Sequence, residues 1–231
     1  MAKKGKKKQE DGVLESAEAL AQQLTKSEQF IENNKGMVFS IAGLIAIVLA
    51  GYFGYKYYMD NQNSLAQDEM FQAVYYFEQD SLDLALNGDG NYYGFLDVIE
   101  NYGATKAGNL ANFYVGAIYM QKGSYNSAIP FLEDFSSSDY AIQARAYSLL
   151  GDAYMQQGEY NDAASYYDKA SSFKPNKYFT PIYLLKAGLA YEKLDDFASA
   201  SKQYETIVND YSKSNEAEKA KKYKARLQSK S

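Results

Sequence analysis

The chain has 231 residues, with 29 acidic against 24 basic side chains, and contains neither cysteine nor histidine. Without cysteine there is no disulfide framework, thiol nucleophile or thiolate metal site; without histidine the commonest general base and zinc ligand are gone. What remains is carboxylate-only chemistry, so no catalytic residue, cofactor, metal site or small-molecule substrate is expected. Apolar residues make up 46% of the chain, a large share of them tyrosine (24 Tyr, 12 Phe, no Trp), and prolines number only three. That composition, with long stretches of helical spacing, predicts an all-α soluble part forming one elongated domain with an appendage.

The first eight residues hold five lysines and no acid, a topology signal that also suits anionic headgroups. Val13, Leu14, Ala17, Leu20, Ala21 and Leu24 then recur at three- and four-residue steps, predicting one apolar face of a short helix over Val13–Phe30. Such a helix could lie on a membrane surface or dock a partner. Between Lys35 and Lys56 stand 20 uncharged residues, GMVFSIAGLIAIVLAGYFGY. As a helix they would extend about 30 Å, the thickness of a hydrocarbon core. The stretch is longer than a signal-peptide core, and bulky Tyr52, Tyr55, Tyr57 and Tyr58 follow it in place of a small-residue cleavage site. A retained anchor is therefore expected. Seven lysines precede the span and only Lys56 follows it before Lys106. Residues 1–35 should then stay cytoplasmic and the remainder be translocated, to the periplasm if the membrane is a bacterial inner one.

Beyond the span a motif repeats. Tyr147, Leu150, Gly151 and Tyr154 are followed by Ala163, Tyr167, Ala170 and Pro175, in phase with the 34-residue tetratricopeptide repeat (TPR) pattern W-x2-L-G-x2-Y, A-x3-F, P. Upstream Val115, Gly116 and Tyr119 precede Gly123, Tyr125, Ala128 and Leu132; downstream Ala187, Gly188 and Tyr191 precede Phe197, Ala200 and Tyr204. The three motif glycines lie 35 and 37 residues apart, which places small insertions between units, in the second gap at Tyr178–Thr180. A degenerate unit is expected before them, its helices over Gln67–Phe77 and Tyr92–Tyr102. The expected architecture is an arm (1–35), a transmembrane helix (36–58), a TPR-type α-solenoid (59–213) of three good repeats and one degenerate, and a capping helix and tail (214–231). In the last, Ala217, Ala220, Tyr223 and Leu227 form a thin inward stripe with lysines and Arg226 facing out.

The Asn87–Asn91 run alternates oxygen ligands, but Tyr92 and Val98 occupy the places where a calcium loop needs glycine and glutamate. It reads as a turn. Glu133/Asp134 and Asp195/Asp196 read as caps and solvated charges at helix ends. Residues 57–210 carry 9 basic and 21 acidic side chains, which argues against nucleic acid as a partner. The inner face of such an array is lined by the first helix of each unit. The repeat register puts Leu110, Phe113, Ala117 and Met120 there, then Arg145, Ser148, Asp152 and Met155, then Ile182, Leu185, Leu189 and Glu192. The resulting groove is mostly apolar with a polar centre and suits an apolar peptide or helix, whether from a partner or from the chain itself. TPR proteins that grip chaperone C-termini commonly carry asparagine where Ala117, Asp152 and Leu189 stand here, so that mode of capture is not expected.

The order of arm, span and repeat body, with the stretch NGDGNYYGFLDVIENYGATKAGNLANFYVGAIY, resembles the YfgM-like family of ancillary Sec translocon subunits, and within it the Bacteroidetes branch. The resemblance implies a TPR domain that faces the periplasm, sits beside the Sec channel and passes exported clients to periplasmic chaperones. It implies no catalytic residues. A dedicated adaptor for envelope assembly or cell division, holding one fixed partner, is the other role this architecture serves.

Overall fold

The computed structural model describes residues 24–25 and 28–228; the lysine run and most of the Val13–Phe30 segment lie outside them. The chain divides into two compact units at Tyr58/Met59. Among the described residues every regular element is a helix: α1 (Lys35–Glu78), α2 (Leu82–Asn87), α3 (Phe95–Tyr102), α4 (Lys106–Gln121), α5 (Tyr125–Asp134), α6 (Tyr140–Gln157), α7 (Tyr160–Ser172), α8 (Thr180–Lys193), α9 (Phe197–Asp210) and α10 (Ala217–Gln228).

In the first unit the uncharged run lies within α1, and Phe39, Leu44, Ile47, Val48 and Phe53 are all exposed. One helix long and apolar enough to cross a membrane is thus present among the described residues. An apolar surface this continuous on all sides has no partner among them.

The second unit is an α-solenoid of helical hairpins, packed almost wholly between helices adjacent in sequence. Its three regular hairpins, α4–α5, α6–α7 and α8–α9, close by one repeated device. A Cβ added to Gly116 would stand 2.5 Å from the side chain of Leu132, one at Gly151 2.6 Å from the ring of Tyr167, and one at Gly188 2.3 Å from the ring of Tyr204. Each glycine lets a large side chain of the second helix lie on the backbone of the first. Ala128, Ala163 and Ala200, one turn before those side chains, are fully buried, and so the helices approach within van der Waals contact.

The degenerate hairpin differs from the sequence expectation. Its first helix is the end of α1, where Ala66, Met70 and Ala73 are buried. The second is broken in two: α2 comes before the expected start at Tyr92, and α3 begins only at Phe95. The cause is local hydrogen bonding. The Asp89 carboxylate accepts the amides of Asn91 and Tyr92, and Tyr76 donates to it; Asp97 accepts from the amide of Gly94 and starts the helix there. Phe95, with its ring stacked 4.7 Å from Tyr114, then anchors the segment to α4.

The junction into α4 rests on Thr105. Its hydroxyl accepts from the Gly108 amide at 3.0 Å and donates to the Tyr102 carbonyl at 2.7 Å, at a residue 5% exposed. Thr105→Ala removes the cap and strands the Gly108 amide, while the Tyr102 carbonyl keeps the Thr105 amide at 2.8 Å; it should cost about 1–2 kcal/mol in urea unfolding. A loss under about 0.3 kcal/mol would mean that water replaces the hydroxyl there.

At the other end α10 closes the array on α9. Ala217, Ala220 and Leu227 are buried, and Arg226 ties back to Glu192 at 2.7 Å. Glu192 also accepts from the Tyr204 hydroxyl at 2.7 Å, which joins cap, groove helix and core by one carboxylate.

Candidate functional site

Three hairpins present their first helices, α4, α6 and α8, side by side. A cavity of about 490 Å³ is lined by Phe113 from α4, by Ala141, Ile142, Arg145, Ser148, Leu149 and Asp152 from α6, and by Phe179, Ile182, Tyr183 and Lys186 at and along α8. A second cavity, about 620 Å³, shares Ile182 and continues past Tyr178 to Tyr211–Glu216 before α10. The two meet only at Ile182, and the first, built from α4, α6 and α8, is the groove. The large apolar side chains left exposed between residues 95 and 228 are Tyr140, Tyr178, Phe179 and Ile182. All four stand at this groove or beside it.

Local sequence explains why they gather. Asn176 folds the α7–α8 connection by accepting the amides of Tyr178 and Phe179, and its own amide donates to the Thr180 hydroxyl. Pro181 then supplies the first turn of α8, where a missing N–H costs nothing. The inserted residues are thereby held at the groove rim. At the start of α6, Asp139 accepts the amides of Ala141 and Ile142, and these bonds hold its carboxyl below the usual range.

The polar centre is a closed set of contacts. Lys186 Nζ donates to both oxygens of Asp152, at 2.8 and 2.7 Å, and to Ser148 Oγ at 3.1 Å. Tyr167 Oη donates to Asp152 at 2.7 Å from below. Burial, then the Asp152 charge, pushes the Tyr167 phenol well above its ordinary value, so it stays a donor. Ser148 lines the cavity wall but is only 4% exposed.

Of the residues placed on the inner face from sequence, the structure brings Phe113, Arg145, Ser148, Asp152 and Ile182 to this cavity. Leu110, Met120, Met155 and Leu185 are instead half-buried against core clusters, because each reaches the seam toward a neighbouring helix. Leu189 is half-buried, and neither it nor Glu192 lines the cavity. Sequence reasoning missed Lys186, Tyr183 and Phe179. The repeat register gave no signal for Lys186, which stands two residues before Gly188 where Leu149 stands before Gly151.

On the opposite side of α7 lies a polar hollow of about 650 Å³ lined by Ser165, Asp168, Tyr191 and Gln203. Asp168 accepts from Tyr191 Oη at 2.6 Å and Gln203 at 3.0 Å. Desolvation nonetheless raises its carboxyl, against the lowering influence of the Tyr191 bond and of Lys202. A carboxyl whose folded value exceeds its unfolded value binds its proton more tightly when folded, so its share of stability falls as pH rises through that interval. Asp168→Asn should therefore be less destabilising at about pH 8 than at about pH 4, in melts followed by circular dichroism. The reverse order would show that the charged form is the stabilising one.

Residues 144–177 match the tetratricopeptide repeat family, and 183–214 match a second description of the same repeat. No curated protein matches the chain. Two solved structures share the fold at a TM-score of 0.55: the TPR-like repeats of a kinesin-light-chain protein from Podosopora anserina and a single-substitution form of the same repeats, 13% and 14% identical. The match covers 71% of this chain and 86% and 85% of those chains, respectively. The chain thus carries TPR repeats on a TPR-like solenoid, a scaffold for protein–protein interaction.

Proposed function

We propose that this TPR protein is tethered to a bacterial inner membrane by the apolar run of α1, keeps residues 1–35 in the cytoplasm, and binds protein segments in its groove on the periplasmic side. The observation that carries the reading is the gathering of exposed apolar side chains at a groove built from consecutive repeats. Soluble surfaces keep such patches small unless something covers them. The charge asymmetry around the span supports the orientation. The resemblance of residues 85–123 to ancillary Sec subunits supports a place beside the translocon, receiving exported chains and releasing them to chaperones.

Pull-down of the intact protein from its native membrane in mild detergent, with quantitative mass spectrometry, tests this. Enrichment of Sec channel subunits with a spread of exported proteins supports the translocon role. One dominant envelope or division protein at fixed stoichiometry, without Sec, makes the chain a dedicated adaptor. Since the chain has no cysteine, Gln156→Cys provides a single reporter. Labelling by a membrane-impermeant maleimide from the periplasmic side is expected, and labelling only after lysis reverses the orientation.

A further inference from the structure

The cavity between α4, α6 and α8 holds three charged side chains, and they are not equivalent. Asp152 is neutralised: both its oxygens are engaged by Lys186, and one also by Tyr167. Lys186 is spent in the same contact. Arg145 is left over. It is exposed, lines the cavity, and makes no ion pair with another described residue. Its guanidinium lies near enough to Tyr183 to offset part of the rise that burial imposes on that phenol.

This leftover positive charge sits in a body that is otherwise strongly negative, with 21 acidic against 9 basic side chains over residues 57–210. A carboxylate approaching most of that surface is repelled; at the groove it meets an unpaired guanidinium among Phe113, Ile142, Phe179 and Ile182. Arginine in a partly apolar setting is well suited to a fork-like contact with a carboxylate. Arg145 stands on the middle one of three groove helices, with apolar side chains on the helices to either side. A bound chain therefore continues past it in both directions, and the carboxylate it meets belongs to a side chain within the segment, not to a chain end.

Accepting the groove as the binding site proposed above, we infer that its occupant is an internal apolar segment of another protein that carries an aspartate or glutamate, and that Arg145 is the residue that selects it. Asp152 does not oppose this choice because Lys186 masks it. Lysine-bearing segments find no free partner in the groove.

The test uses the full chain in nanodiscs and three fluorescein-labelled, C-terminally amidated peptides of alternating Leu, Phe and Ser, identical except for a central Asp, Asn or Lys. Fluorescence anisotropy should rank them Asp, Asn, Lys, with the Asp peptide roughly three- to tenfold tighter than the Asn peptide. Arg145→Gln, an exposed position whose change should leave helicity intact, should abolish the gap between Asp and Asn. Equal affinity for these two peptides in the wild-type protein, or a gap that survives Arg145→Gln, overturns the role of Arg145 and leaves the groove standing. Flat titrations with all three peptides overturn the groove itself.

Discussion

Gly188→Leu is expected to lower the thermal midpoint of the protein by about 6–12 °C. Even a Cβ at this position would lie 2.3 Å from Cε1 and 2.7 Å from Cζ of Tyr204. Real contacts of that kind do not occur, so something must move. The Tyr204 ring is fully buried, and its hydroxyl is fixed on Glu192, which Arg226 also holds. Retreat of the ring therefore breaks a polar contact and separates α8 from α9. Overpacking on this scale costs about 3 kcal/mol, toward the upper end for a single insertion, and each kcal/mol is about 2–4 °C in a domain of this size. Gly188→Ala should give a smaller fall of the same sign. A midpoint within about 2 °C of wild type for the leucine variant would mean that α8 and α9 do not approach as closely as described.

Phe113→Glu with Ile182→Glu should weaken partner capture by at least about tenfold while the far-ultraviolet circular dichroism stays unchanged. Both residues line the groove: Ile182 is 37% exposed, and Phe113 is half-buried, packed on the cluster of Ala128, Leu132 and Leu150. Two carboxylates at these points would replace apolar contact with charge on either side of Arg145. Removing two apolar anchors accounts for about 2–4 kcal/mol of binding, well beyond a tenfold loss. Capture that persists in the folded double variant would move the binding surface off these helices. Leu185 is not an equivalent choice, since it does not line the groove and packs on the α9–α10 core, so its substitution would test stability alone.

The repeat core was legible because its physics is local and periodic. Glycine, alanine and a large side chain recur at the same offsets in three hairpins, and the structure uses each triad identically. The broken helix of the first hairpin was not legible. Asn87–Asn91 could be read as a turn, but that Asp89 and Asp97 would claim the amides of Asn91, Tyr92 and Gly94 depends on where the chain bends back. The groove was half legible for a related reason. Repeat register finds the helix that faces inward, and it found Phe113, Arg145, Asp152 and Ile182. It does not tell a side chain in the open centre from one at the seam, so Met155 and Leu185 were placed with them. Nor does it report that one lysine from the next repeat cancels an aspartate.

The groove draws on α4, α6 and α8, one helix from each of three hairpins that otherwise touch mainly their immediate neighbours. Arrays of this kind can melt in pieces, since nothing ties one hairpin to the next but one. An occupant that spans Phe113, Arg145 and Ile182 adds that tie. Its binding should sharpen the unfolding transition as well as delay it, so that a chain which frays hairpin by hairpin when empty comes apart in a single step when loaded.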